Sequence, residues 1–184
     1  MHIRPSHVAD IDRIKEILAD GRASIGALGI DQWQKGYPHR DVVERDVANG
    51  ESYVVVDEND RALATAMMSP AGEPDYDCIY DGAWLVDAPS EEPHYLVVHR
   101  VAVASECKGR GLASALLAKA AELAEVMGKE SVRIDTHPGN EPMRRMVQKN
   151  GFQECGIIHI SHAEDGIPQR VAYEKLVIPE CVEF

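Results

Sequence analysis

The 184-residue sequence contains no run of about 20 apolar residues, the length a membrane helix needs. Its opening, MHIRPSHVADID, lacks the apolar stretch of a secretory signal and turns acidic at once. These two absences predict a cytoplasmic protein with no membrane partner. Cysteine is scarce: Cys78, Cys107, Cys155 and Cys181 are scattered with no CxxC among them, which argues against a disulfide framework and a zinc site. His159 and His162, three apart on or just past a predicted strand, would face opposite ways, so no metal is expected. Basic residues are in deficit, with 19 Lys and Arg against 31 Asp and Glu and a net charge of −12. That balance argues against nucleic acid as a partner and mildly favours cationic ones. Neither a repeat nor a low-complexity tract is present. The expectation is one domain over residues 1–184, long enough to bury a sizeable core.

The hydrophobic pattern supplies the layout. Val8, Ile11, Ile14, Ile17 and Leu18 share one helical face, with Ser6 placed to cap it and a short strand around Ile3 before it. A second helix is expected from Arg40 to Ala48. SYVVVDENDRALATAMMSP then reads as a hairpin turning at residues 58–60. Residues 71–94, rich in Pro, Asp, Glu and aromatics, are expected to form a mobile substrate loop. HYLVVHRVAV is a strand, GRGLASALLAKAAELAEVMG a helix ended by Gly128, SVRIDTH a strand and NEPMRRMVQKN a short helix. FQECGIIHI and QRVAYEKLVI close the chain as paired strands joined near residues 165–166. The class is mixed α/β.

Chemistry concentrates in CKGRGLASALL, residues 107–117. A strand, a glycine turn and a helix make an anion site. The first helical N–H groups lack partners, the helix dipole adds about +0.5 charge, and glycine lets the backbone close on the ligand. Lys108 and Arg110 add charge. No GxxxxGK[ST] occurs, which excludes a P-loop. A dinucleotide fold would use Gly109, Gly111 and the strand-end acid Asp135. Against it, Ser114 replaces the third glycine, the loop before Gly109 is long, and no second βαβ unit follows.

KGRGLA (108–113) resembles the Q/R-x-x-G-x-G/A pyrophosphate loop of the GNAT N-acetyltransferase superfamily, with Lys108 in the first position and Gly111 and Ala113 matching. HRVAV before it resembles that family's central strand, and NEPMRRMVQKNGF its Asn…Gly-Phe block. DQWQKGYP (31–38) looks like a stretch found in some bacterial members. The resemblance implies an α+β fold, with a mixed, mostly antiparallel sheet splayed at strands 4 and 5 and flanked by helices. It implies acetyl-CoA as cosubstrate, a small-molecule or peptide amine as acceptor, and a homodimer. Val101, Ala102 and Val103 would bind the pantetheine arm through their main chain. Lys108, Gly109, Arg110, Gly111, Leu112, Ala113 and Ser114 would cradle the pyrophosphate, and Asn140 would contact the cofactor while capping its helix.

Direct attack by an amine needs a base. His99, nine residues before the loop and on the strand parity of Val101 and Val103, resembles the catalytic histidine of the arylalkylamine acetyltransferases in the superfamily. The family's usual acid, a tyrosine seven residues after the asparagine, is Val147 here; Tyr173 is the candidate substitute. Its absence keeps a non-catalytic acyl-CoA-binding module open as the alternative. His137 is expected to shape its loop. Arg144 and Arg145 are expected on a solvated face within reach of a cofactor phosphate. The resemblance puts Trp33, Tyr37, Tyr80 and Trp84 in loops on the acceptor side, where each would pack on the acceptor or, as is more frequent, in the core.

Overall fold

The computed structural model describes residues 1–161 and 166–177. His162, residue 165 and Cys181 lie outside them. In chain order the elements are β1 (His2–Pro5), α1 (Ile11–Gly26), α2 (Arg40–Ala48), β2 (Ser52–Val56), β3 (Ala62–Ser69) and β4 (Ile79–Tyr80). They continue with β5 (Tyr95–Val103), α3 (Leu112–Val126), β6 (Ser131–Thr136), α4 (Glu141–Lys149), β7 (Gln153–His159) and β8 (Gln169–Leu176). One sheet runs β1-β2-β3-β5-β6-β8-β7-β4, antiparallel throughout except for the β5–β6 pair. The two-residue β4 has no counterpart in the sequence reading, so the pair expected as strands 4 and 5 is β5 and β6. Among the described residues no helix is long and apolar enough to cross a membrane.

Burial explains the elements. Ile11, Ile14, Ile17 and Leu18 of α1 are buried at helical spacing, as are Leu112, Leu116, Leu117, Ala120 and Ala124 of α3. Ser6 does not cap the first helix: its Oγ pairs with Ser52 Oγ at 2.8 Å. Asp10 stands at the N-cap position of α1 without a side-chain cap bond; its carboxylate turns back to accept from the His7 N–H at 2.7 Å and from Arg4. The hairpin turns where Asp57 Oδ1 accepts the N–H groups of Asn59 and Arg61.

Residues 71–94 form a packed strap rather than a free loop. Tyr76, Val86 and Ala88 are buried against Tyr95, Val97, Ile158 and Ala172. Beneath them lies an ion pair with no exposure on either side, Arg133 Nε to Glu174 Oε1 at 2.9 Å. Glu174 also accepts from the Leu85 and Val86 N–H groups and Ser131 Oγ. Arg133 donates to Val86 O and stacks under Trp84 and over Tyr95. Apolar packing and backbone hydrogen bonds thus tie the strap to the sheet at one charged centre. Glu174→Ala strands a buried guanidinium and three further donors, so it should cost about 3–5 kcal/mol of stability. Denaturant unfolding measures this; a loss below about 1 kcal/mol would remove the pair from the strap's anchor.

Candidate active site

β5 and β6 pair only over their first residues, Tyr95↔Ser131 through Val98↔Ile134, although β5 continues to Val103 and β6 to Thr136. The peptide groups of residues 99–103 that face β6 therefore have no strand partner. On its other edge β5 carries an extra residue: His99 pairs with Met67 and Ala102 with Thr65, three steps against two. Arg100 takes up the bulge at φ 54°. The bulge changes the alternation, so His99 stands on the face of Tyr95, Val97 and Ala102, opposite Val101 and Val103. The strand parity read from the sequence is thus corrected by one residue. Arg100 holds the bulge in place: it grips Asp46 with Nε and Nη2 at 2.9 and 2.8 Å, and Nη1 donates to Tyr37 Oη at 2.8 Å. Burial raises the Asp46 carboxyl pKa, with Arg100 pulling the other way.

The divergence opens a cleft of about 260 Å³. His99 lines it with Glu73, Tyr76 and Asp135. His99 Nε2 lies 3.2 Å from Glu73 Oε2, within hydrogen-bonding reach, while Nδ1 lies 3.7 Å from Asp135 Oδ1, beyond it. Tyr76 Oη donates to the same Asp135 oxygen at 2.8 Å. Burial pushes the Glu73 carboxyl up, but the His99 bond and charge outweigh it and the net shift is downward, so Glu73 is anionic at neutral pH. Burial, with the charge and hydrogen bond of Asp135, raises the Tyr76 phenol well above its usual value.

The glycine turn follows β5 in the chain and is not part of the cleft lining. Gly109 and Gly111 have φ of 76° and 75°, left-handed values that glycine alone adopts without strain. Gly111 starts α3, and the first inward bond is Ala115 N–H to Gly111 O, at 3.0 Å. A Cβ at either glycine would meet nothing within 4 Å, so the turn faces open space. Residues 108–111 are exposed, whereas Leu112 is buried in the core. Lys108 Nζ donates to Ser24 Oγ, Arg110 lies against Cys107 Sγ, and Ser114 Oγ accepts from Asn150 Nδ2 at 3.0 Å. In chain order the cleft residues 98–101 of β5 lead through the unpaired edge at 101–103 to the glycine turn and the start of α3.

A course of this kind, entering between two parallel strands that part, fits a long anionic cosubstrate with a reactive end in the cleft. Residues 22–152 match the model of the acetyltransferase (GNAT) family. The chain belongs to that family. Over 95% of its length it is 33% identical to a GNAT-family acetyltransferase from Streptococcus agalactiae, covering 94% of that chain with a TM-score of 0.81. A GNAT-family acetyltransferase from Listeria monocytogenes shares the fold at 19% identity and TM-score 0.68, with 95% of this chain and 94% of that one covered. So does a ribosomal-protein-alanine N-acetyltransferase from Brucella melitensis, at 17% identity and TM-score 0.67, with coverage of 96% and 99%. No curated protein matches the chain.

Within this GNAT framework the residues singled out from sequence separate. Asn140 lines the cleft and caps α4, its Oδ1 accepting from Met143 N–H at 3.3 Å. Val147, where a tyrosine is usual, is fully buried in the core. Tyr173 is fully buried, and its hydroxyl sits between Arg144 Nε at 3.0 Å and Glu154 Oε2 at 3.2 Å. Burial pushes its phenol up, Arg144 acting against it and Glu154 with it. The structure does not bring Tyr173 to the cleft or to His99. Arg144 is committed to Tyr173, Pro138 O and Glu154, and Arg145 to Glu141. His137 Nδ1 accepts the Gly139 N–H at 3.0 Å, the loop-shaping role expected. Trp33 and Tyr37 line the cleft. Trp84 belongs to the strap and stacks on Arg133, and Tyr80 stacks on His159 at the sheet edge. Sequence reasoning missed Glu73, Tyr76 and Arg170 as cleft residues and met Asp135 only as a possible ribose ligand. Glu73 is one acid in an acidic stretch, 26 residues from His99, and only the strap's path joins them.

Proposed function

We propose that this acetyltransferase transfers an acetyl group from acetyl-CoA to a primary amine, with His99 as the base. The observation that carries the reading is the His99–Glu73 pair, set where β5 and β6 part. Residues 108–114 would hold the pyrophosphate through backbone N–H groups, Lys108 and Arg110 adding charge. Val101, Ala102 and Val103 would offer their unpaired main-chain groups to the pantetheine arm, and Asn140 would border it. When bound, acetyl-CoA supplies a thioester carbonyl, to which the amine forms a C–N bond as the C–S bond breaks.

Glu73 orients the imidazole by accepting from Nε2–H, which leaves the Nδ1 lone pair facing the cleft to take the amine proton. The nearby carboxylates Glu73 and Asp135 stabilise the imidazolium that results and draw a cationic acceptor inward. Protonation of the departing thiolate is the easier half, because a thiol of pKa about 8.5 leaves readily near neutral pH. That step needs no dedicated tyrosine, which suits the valine at 147.

Calorimetric titration with acetyl-CoA, with NADH as the control, tests the cofactor assignment; a thiol-release assay over an amine panel tests the reaction. Micromolar binding of acetyl-CoA alone and amine-dependent thiol release are expected. Binding without release for any amine would leave an acyl-CoA-binding module in place of the enzyme.

A further inference from the structure

Among the described residues two arginines are buried, and one of them has no carboxylate partner. Arg133 meets Glu174 and Arg100 meets Asp46. Arg170, on β8 and 2% exposed, makes no ion pair among the described residues, although Asp135 and Asp31 are near enough to favour its charge. Its Nη1 donates to the carbonyl oxygens of Ile167 and Gln169 at 2.6 and 2.8 Å. Its Nε is buried without a hydrogen-bond partner. That edge of a guanidinium is the one with which Arg100 grips Asp46. A buried charge left this way is costly until an anion meets it.

Arg170 lines the cleft. Pairing of Arg170 with Ile158 and of Ala172 with Asp135 places its side chain on the sheet face of Asp135. The parallel register of Val97 with Arg133 puts His99 on that face too. A second unpartnered group, the buried Oε1 of Gln32, belongs to the same lining. The cleft thus combines the carboxylates Glu73 and Asp135 around His99 with an arginine that makes no ion pair among the described residues.

We propose that the acceptor is a small amine that itself carries a carboxylate, with the carboxylate held by Arg170 and the amine beside His99, Glu73 and Asp135. The inference rests on the amine-acetylation reading and narrows its substrate class to amino-acid-like compounds. A planar guanidinium edge matches a carboxylate through two parallel hydrogen bonds. The opposite charges of a zwitterion match the opposite charges in this lining, Arg170 for the carboxylate and Glu73 with Asp135 for the amine. The cleft's volume of about 260 Å³, shared with the acyl arm, favours a compact acceptor.

The test uses matched pairs in the thiol-release assay: L-alanine with ethylamine, L-phenylalanine with 2-phenylethylamine, and 4-aminobutyrate with propylamine. In at least one pair the carboxylated member should show a kcat/KM about 10- to 100-fold higher, the range of a charge-assisted contact. Arg170→Gln should bring that ratio near one, mainly by raising KM; this separates carboxylate recognition from differences in amine basicity. Ratios near one in the wild type overturn the proposal, and so does a variant that lowers both members in parallel. If Arg170→Gln does not fold, calorimetry on the wild-type protein decides: tenfold tighter binding of a carboxylated member supports the proposal, and equal binding across every pair overturns it. If acetyl-CoA binds but no amine is acetylated, the enzymatic reading has failed, and the same calorimetry still decides whether Arg170 takes a carboxylate.

Discussion

Gly111→Glu should reduce acetyl-CoA affinity by at least about 100-fold while the protein still folds. Two separable effects act at this position. The first is backbone strain: a side chain at φ 75° costs about 1–2 kcal/mol. That cost is present with and without ligand, so it lowers stability rather than affinity. The second is charge: a carboxylate about 5 Å from a phosphate oxygen is repelled by roughly 3 kcal/mol at an effective dielectric of 20. This effect exists only in the complex. Gly111→Ala isolates the first, because a Cβ there meets no atom within 4 Å. The alanine variant should therefore lose about 1–2 kcal/mol of stability and keep its affinity within a few-fold. Calorimetry on both variants checks the pair. A glutamate variant that binds acetyl-CoA as the wild type does would remove the turn from the site.

The elements were legible in the sequence because each rests on a local signal. The α2 bounds coincide with the expected helix, and Ile11, Ile14, Ile17 and Leu18 are buried as the periodicity marked them, whereas Val8 falls in the turn before α1 and is exposed. The glycine turn was legible for the same reason: two left-handed residues at the start of a helix leave a trace in residue type. What failed was non-local. The bulge at Arg100 shows only in the pairing of β5 with β3, so an alternation carried along the strand put His99 on the wrong face. The strap of residues 71–94 looked loose because its composition is polar, yet Tyr76, Val86 and Ala88 are enough to bury it, and Glu174, from the far end of the chain, anchors it. Tyr173 looked available because a strand tyrosine gives no local sign of its partners; Arg144 and Glu154 take its hydroxyl. The residues that make the cleft chemical, Glu73 and Arg170, come from segments that meet only in the folded sheet.

His99→Ala should lower kcat by about 10²–10⁴-fold, the range for loss of a general base, and leave the KM for acetyl-CoA within a few-fold. The split follows from geometry. The groups assigned to the cosubstrate are main-chain atoms of β5 and the α3 turn, and removing an imidazole that is not part of the core disturbs neither. The acceptor loses its proton acceptor, so the acid limb of the pH–rate profile should flatten. Tyr173→Phe is the discriminating control. Its hydroxyl lies in a half-buried contact with Arg144 and Glu154 and is not part of the cleft lining, so kcat should change less than about threefold. Stability should fall by about 1 kcal/mol, the value of a typical buried hydrogen bond. The reverse result, a large kcat loss at Tyr173 with a fully active His99→Ala and an unaltered pH profile, would move the proton chemistry from the strap side of the sheet to the α4 side. The Glu73–His99 pair would then be a structural hydrogen bond that holds the strap against the bulge.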